Sequence, residues 1–275
     1  FGIYSNTNHS ATVPTTTALI TNLTGSNSNN KYYGNTVSNV NMGIAVIGSS
    51  VAAYMDTGND VGGLSLVTGN TVTNWGGQSQ ASVYINSSGS CYGVFVNNQK
   101  DENVSFNTIT SAAVSGTAVA MRGVLKEYSA VPTGTFSSTI SNNSITITDN
   151  FTSGVLDGIR SQGISSALST ATINIVNNLL LNISATAVGA NIAFVGISNT
   201  SQCGILNITG NTIRGTTTSA TAAGFTGISN SGAVITALNI NNNNIGDNLG
   251  DAVIFSAANN QPLAGITVPT VASTA

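Results

Sequence analysis

The residues best suited to chemistry sit in one short region. Arg122 and Asp157 each stand immediately before a Gly followed by an aliphatic residue, Gly123-Val124 and Gly158-Ile159, with Lys126, Glu127 and Arg160 close behind. If those Gly pairs mark equivalent positions on neighbouring structural units, one carboxylate meets two or three cations. A carboxylate with a neighbouring base is the raw material of acid–base chemistry on a glycosidic bond. The same arrangement also makes an ion pair across adjacent strands. The catalytic candidates are therefore Asp157, Arg122 and Arg160, and the ion pair is their alternative use.

Other reactive types are few. His9 is the sole histidine, which excludes a Ser-His-Asp triad and a His-ligated metal centre. Asp56-Thr-Gly-Asn-Asp60 is an acidic loop with too few ligands for a calcium site. Asp101-Glu102 follows Lys100 and reads as a solvated turn. Cys91 and Cys203 lie about three repeats apart, roughly 14 Å along a stacked fold, too far for a disulfide. They are expected to be buried free thiols. No metal and no cofactor is expected. Trp75, Tyr84 and Tyr92 gather in the long stretch 73–92, and exposed rings there would stack on sugars, so this region is the expected ligand contact.

A repeat must position all of these residues. Asn35, Asn70, Asn107, Asn143, Asn178, Asn211 and Asn243 are separated by 35, 37, 36, 35, 33 and 32 residues. Three positions before them stand Tyr32, Val67, Val104, Ile140, Ile175, Ile208 and Ile240. Two positions after stand Val37, Val72, Ile109, Ile145, Leu180, Ile213 and Ile245, with Thr or Ser commonly between. That is period-two alternation on two short strands broken at the Asn. Asn tolerates the left-handed backbone of a tight bend, and its amide can bond the Asn of the next unit. A second marker, Gly then Ile or Val, recurs at Gly2, Gly43, Gly93, Gly123, Gly158, Gly196 and Gly227, with Ala252-Val253 expected to replace it in the last copy. A unit of at least three short strands stacked on itself is a solenoid.

The pattern, carried by Asn207-Ile-Thr-Gly-Asn-Thr-Ile213 and Gly227-Ile-Ser-Asn-Ser-Gly232, resembles the right-handed parallel β-helix repeat of pectate-lyase-like proteins and of secreted bacterial surface proteins of adhesin type. The resemblance covers roughly residues 30 to 257. It implies an all-β, right-handed parallel β-helix of about seven coils, with residues 1–275 forming a single domain. Lyases of this superfold use an Arg or Lys base beside calcium held by stacked Asp, and that Asp set is missing here. Neither end carries an evident cap, so the chain is expected to be a segment of something longer or a unit that stacks end to end.

Composition narrows the partners. Six Lys and Arg in 275 residues, at a net charge of −3, cannot track a phosphate backbone, so no nucleic-acid partner is expected. The most apolar run, Leu179 to Ile197, is interrupted by Asn182, Ser184, Thr186 and Asn191, so no membrane span is expected. Only 5% of residues are charged, and a Ser/Thr/Asn exterior suits an extracellular or cell-surface location. Thr36-Val-Ser38, Thr71-Val-Thr73, Thr108-Ile-Thr110 and Ser144-Ile-Thr146 would form outward hydroxyl rows of the kind that bind polysaccharide or ice. The leading expectation is a non-enzymatic extracellular structural or adhesive module, part of a cell-surface fibre. Alternatives are a polysaccharide lyase or glycosidase, and a polysaccharide- or ice-binding face.

Overall fold

A computed structural model describes residues 1–6, 22–76, 90–112, 114–116, 119–151, 153–164, 170–185, 191–219 and 221–268. The fold is a parallel β-helix of about six turns. Seven ladder Asn bound six complete turns, which accounts for the difference from the seven coils the sequence predicts. Its first wall is an eight-stranded sheet that takes one strand from each successive rung, from Ile3–Asn6 to Leu263–Thr267. The second wall runs from Lys31–Tyr32 to Val234–Asn241 and the third from Thr36–Val40 to Asn244–Ile245, seven strands each. A shorter five-stranded sheet from Val114–Gly116 to Val253–Phe255 lies alongside.

Register follows the repeat column by column. Ile140 pairs with Val104 and Ile175, and Ile145 pairs with Ile109 and Leu180. These aliphatics fill the interior with Met121, Leu156 and Phe194, all essentially inaccessible to solvent. Two columns differ from the expected ones. Val61, not Val67, pairs with Tyr32 and Val104, and Val67 is 90% exposed. Residues 62–69 are an excursion between strands, so the apolar residue three before Asn70 is coincidental. Likewise Val253 pairs with Thr216 in the short sheet, while Gly265-Ile266 continues the Gly column below Ile228.

At the Gly column the first wall turns a corner. Gly123 and the following Val124 both face inward, and a Cβ on Gly123 would lie 2.4 Å from Ile145 Cγ2 and 2.6 Å from the Gly158 carbonyl. Glycine is needed there because the aliphatic column of the third wall presses against its backbone.

The second corner divides between neighbours the two tasks expected of one Asn. Left-handed backbone falls on the residue before the ladder position: Gly34, Phe106, Asn142, Asn177, Gly210 and Asn242 have φ between 55 and 68°. The ladder Asn itself supplies the hydrogen bonds. Phe106, at φ 60°, is the misfit, since a bulky side chain crowds the backbone there. Replacing it with the Asn of its column neighbours should relieve about 1 kcal/mol of that strain. Phe106→Asn is therefore expected to raise the urea midpoint, and a lowered midpoint would show that its ring packing outweighs the strain.

Candidate functional site

The charged candidates come together on the outer side of the first wall. Arg122 and Asp157 are register partners on adjacent strands, as the Gly alignment requires. Arg122 Nε donates to Asp157 Oδ2 at 2.9 Å, and Arg160 Nη1 reaches the same oxygen at 3.4 Å. The Asp157 side chain is 0% exposed, beneath arginine side chains that are 12% and 25% exposed. The Arg122 guanidinium sits 5.9 Å from the Tyr92 ring centroid, within cation–π range. Arg160 Nε donates to Gln162 Oε1 at 2.5 Å, and Gln162 Nε2 donates to Glu127 Oε1 at 2.6 Å. The three catalytic candidates thus form an ion-pair network. A carboxylate sealed under two arginines is not presented to a glycosidic oxygen.

The ligand-contact residues are placed otherwise than a sugar platform needs. Trp75 is wholly buried among the interior aliphatics, with Val40 as its register partner. Tyr92 is buried in a second cluster with Met42, Ala45, Ile47, Phe95 and Leu125, its ring 5.0 Å from that of Phe95. Both rings therefore serve packing, a use that residue type and position along the chain do not distinguish from stacking on a ligand. Tyr84 lies outside the described residues, as does His9.

The acidic loop does not converge on a cation. Asp56 is buried, accepting from the Asn27 backbone N–H at 2.9 Å and Gln99 Nε2 at 3.4 Å, and burial holds its carboxyl above the usual carboxylate range. Asp60 instead accepts from Tyr33 and Asn103 side chains and from the Gly63 N–H. Among the described residues, no group of three or more His, Cys, Asp or Glu could hold a metal ion.

Glu102 corrects the expectation of a solvated Asp101-Glu102 turn. Asp101 is exposed at φ 53°, while Glu102 is buried and paired with an equally buried Lys126. Around them, Ser138 Oγ donates to Glu102 Oε1 at 2.5 Å and Lys126 Nζ donates to the Tyr128 hydroxyl at 2.5 Å. Desolvation raises the Glu102 pKa and lowers that of Lys126, so burial drives both toward their neutral forms. The sequence held a usable signal: counting two from inward Val124 puts Lys126 on the interior face.

Both cysteines are buried free thiols, and burial pushes Cys91 up to about 11 and Cys203 up to about 12. Since the thiolate is the nucleophile, alkylation in mildly alkaline buffer should run more than about tenfold slower in the folded chain than in urea. Equal rates in the two states would refute the burial.

The outer walls carry ordered polar rows. On the third wall Thr36, Thr71, Thr108 and Ser144 align before Leu179 interrupts the row. The second wall carries an exterior amide row that counting from the ladder Asn alone overlooks. Asn239 Nδ2 donates to Asn207 Oδ1 and Asn207 Nδ2 to Asn174 Oδ1, each at 2.7 Å. Its signal was the Asn four residues before Asn178, Asn211 and Asn243.

The principal Asn ladder is continuous. Nδ2 of each Asn from 35 to 211 donates to Oδ1 of the next at 2.8–3.0 Å. That same oxygen also accepts the backbone N–H of the preceding ladder Asn at 2.9–3.1 Å. The chain matches no family model, no curated protein and no solved structure.

Proposed function

We propose that this protein is a non-enzymatic extracellular module, structural or adhesive, that contributes a stiff rod to a surface fibre. The observation that carries the reading is the sealing of Asp157 between Arg122 and Arg160, which turns the best catalytic candidates into wall. The low charge and the exterior rows of hydroxyls and amides support a surface that engages partners through hydrogen bonds.

End-to-end stacking is part of this proposal. In the last rung Leu238 is 37% and Ile266 51% exposed, where their column neighbours Leu206 and Ile228 are 0%. The ladder is also directional. Among the described residues nothing donates to Asn35 Oδ1, while Asn243 Nδ2 donates only to the Ile208 carbonyl. A head-to-tail contact would let Asn243 of one copy donate to Asn35 of the next, a heterologous arrangement that propagates. Sedimentation across a concentration series, with electron microscopy of the same samples, tests this. Rods that lengthen with concentration, and shorten in Ile266→Arg, are expected. A monomer at every concentration would overturn the stacking.

A second reading, a polysaccharide-binding face, is favoured by the Asn174–Asn207–Asn239 row. Retention on immobilised glycans that Asn207→Ala weakens would support it, and no retention on any glycan would remove it.

A further inference from the structure

The interior of the solenoid holds one arrangement that packing alone does not explain. Lys126 occupies an inward column where its register partners are Val96 and Ser161. Glu102 comes from the facing second wall, one residue before Asn103, whose register partner is Thr139. Both side chains are 1% exposed and in direct contact. Hydroxyl groups bracket the contact. Ser138 Oγ donates to Glu102 Oε1, and Tyr128 accepts from Lys126 Nζ while donating to the Gln99 carbonyl at 2.7 Å. The ammonium nitrogen also lies 4.1 Å from the Tyr128 ring centroid. Glu102 Oε2 is buried with no hydrogen-bond partner.

We propose that Lys126 and Glu102 condense into a side-chain amide, joining Nζ to Cδ and releasing one water, so that the folded chain carries a covalent brace between two walls.

The step needs no oxidant and no co-reactant. Two ions held out of water are disfavoured relative to the neutral amine and carboxylic acid. In that neutral form the Nζ lone pair is a nucleophile, and the carboxyl carbon carries an OH that can depart. As the N–C bond forms, the Ser138 hydroxyl stabilises charge building on Oε1. Tyr128 holds Nζ in place, the surplus Nζ proton passes within the adduct to the departing Oε2 hydroxyl, the C–O bond breaks, Oε1 becomes the amide carbonyl, and water leaves. The fold holds the reactants in one contact, which raises the rate of a condensation that is slow between free molecules. It also keeps bulk water from the new amide. The orphaned Oε2 is the atom lost in the reaction, and so the product removes the unsatisfied group.

Mass spectrometry decides the matter. The intact mass of the folded wild-type chain is expected to fall short of its encoded mass by one water. Digestion should yield a branched peptide joining the segments that contain 102 and 126. Lys126→Ala and Glu102→Ala should each have their full encoded mass. Glu102→Gln, which keeps an acyl carbon in place, should lose ammonia instead of water. A folded wild-type chain, verified by its β-sheet circular dichroism, with full encoded mass overturns the proposal. So does a deficit that persists in Glu102→Ala, because the lost water then arises at another residue, such as an Asp closing on its own backbone.

Discussion

Asn143→Ala should lower the stability of the chain by about 3–5 kcal/mol, read as a drop in the urea midpoint. Asn143 sits mid-ladder and is buried. Its Nδ2 donates to the Val104 carbonyl at 2.9 Å and to Asn178 Oδ1 at 3.0 Å. Its Oδ1 accepts from both the backbone N–H and Nδ2 of Asn107. Truncation removes these bonds, strands the Asn107 N–H in a dry interior and takes the side-chain donor from the Val104 carbonyl. Each stranded group costs about 1–3 kcal/mol. Asn143→Asp is the sharper version at neutral pH. A carboxylate still accepts from Asn107 but turns an oxygen toward the two acceptors Nδ2 had served, so it should be no more stable than the Ala variant. Asn244→Ala, at an exposed site, is the control and should change little. A ladder variant as benign as the control would mean that water replaces the lost bonds.

Gly158→Ala should cost about 3 kcal/mol, the upper end of the usual range for overpacking. The added Cβ would sit 2.2 Å from Leu180 Cδ2 and 2.6 Å from the Gly196 carbonyl. Leu180 can change rotamer, but the carbonyl belongs to the next rung's backbone and moves only with that rung. Pairing the substitution with Leu180→Ala separates the contributions. If the side chain were the whole obstacle, the double variant would be no worse than Leu180→Ala alone. The carbonyl contact predicts a further loss beyond that variant. Thermal and urea unfolding of the three variants measure it. A Gly158→Ala chain as stable as wild type would show that the corner has slack.

The columns were legible wherever one residue type did one job at fixed spacing. Ile140, Ile145 and Gly123 could be placed from the sequence because their neighbours one repeat away have the same chemistry and the same surroundings. Val67 mimics the column because an excursion of the backbone restores an apolar residue at the expected distance. Ala252-Val253 stands at the repeat distance without continuing the Gly column because the final rung spaces its strands differently. The bend and the hydrogen bond look like the work of one Asn because adjacent Asn and Gly residues suit both tasks, and only φ separates them. For the candidate site, register told correctly that Arg122 would face Asp157. Their surroundings were not legible, since exposure depends on what covers a face rather than on which residue pairs with which. The same limit hid Trp75 in the core. Glu102 went unseen because a charged pair in a sequence reads as surface unless the parity of both strands is followed inward.

The poorly covered last rung has a mechanical consequence. Each interior rung is held by two neighbours, whereas among the described residues the strand Leu263–Thr267 pairs only with Ala222–Asn230. Wherever a rung has a neighbour on one side only, tension would meet that rung first, and its departure would expose the next as the new edge. Repeats of 32 to 37 residues would then come away singly. Each frees a contour of roughly 120 Å of extended chain. Under load such a rod lengthens in steps, dissipating force rung by rung instead of failing at once.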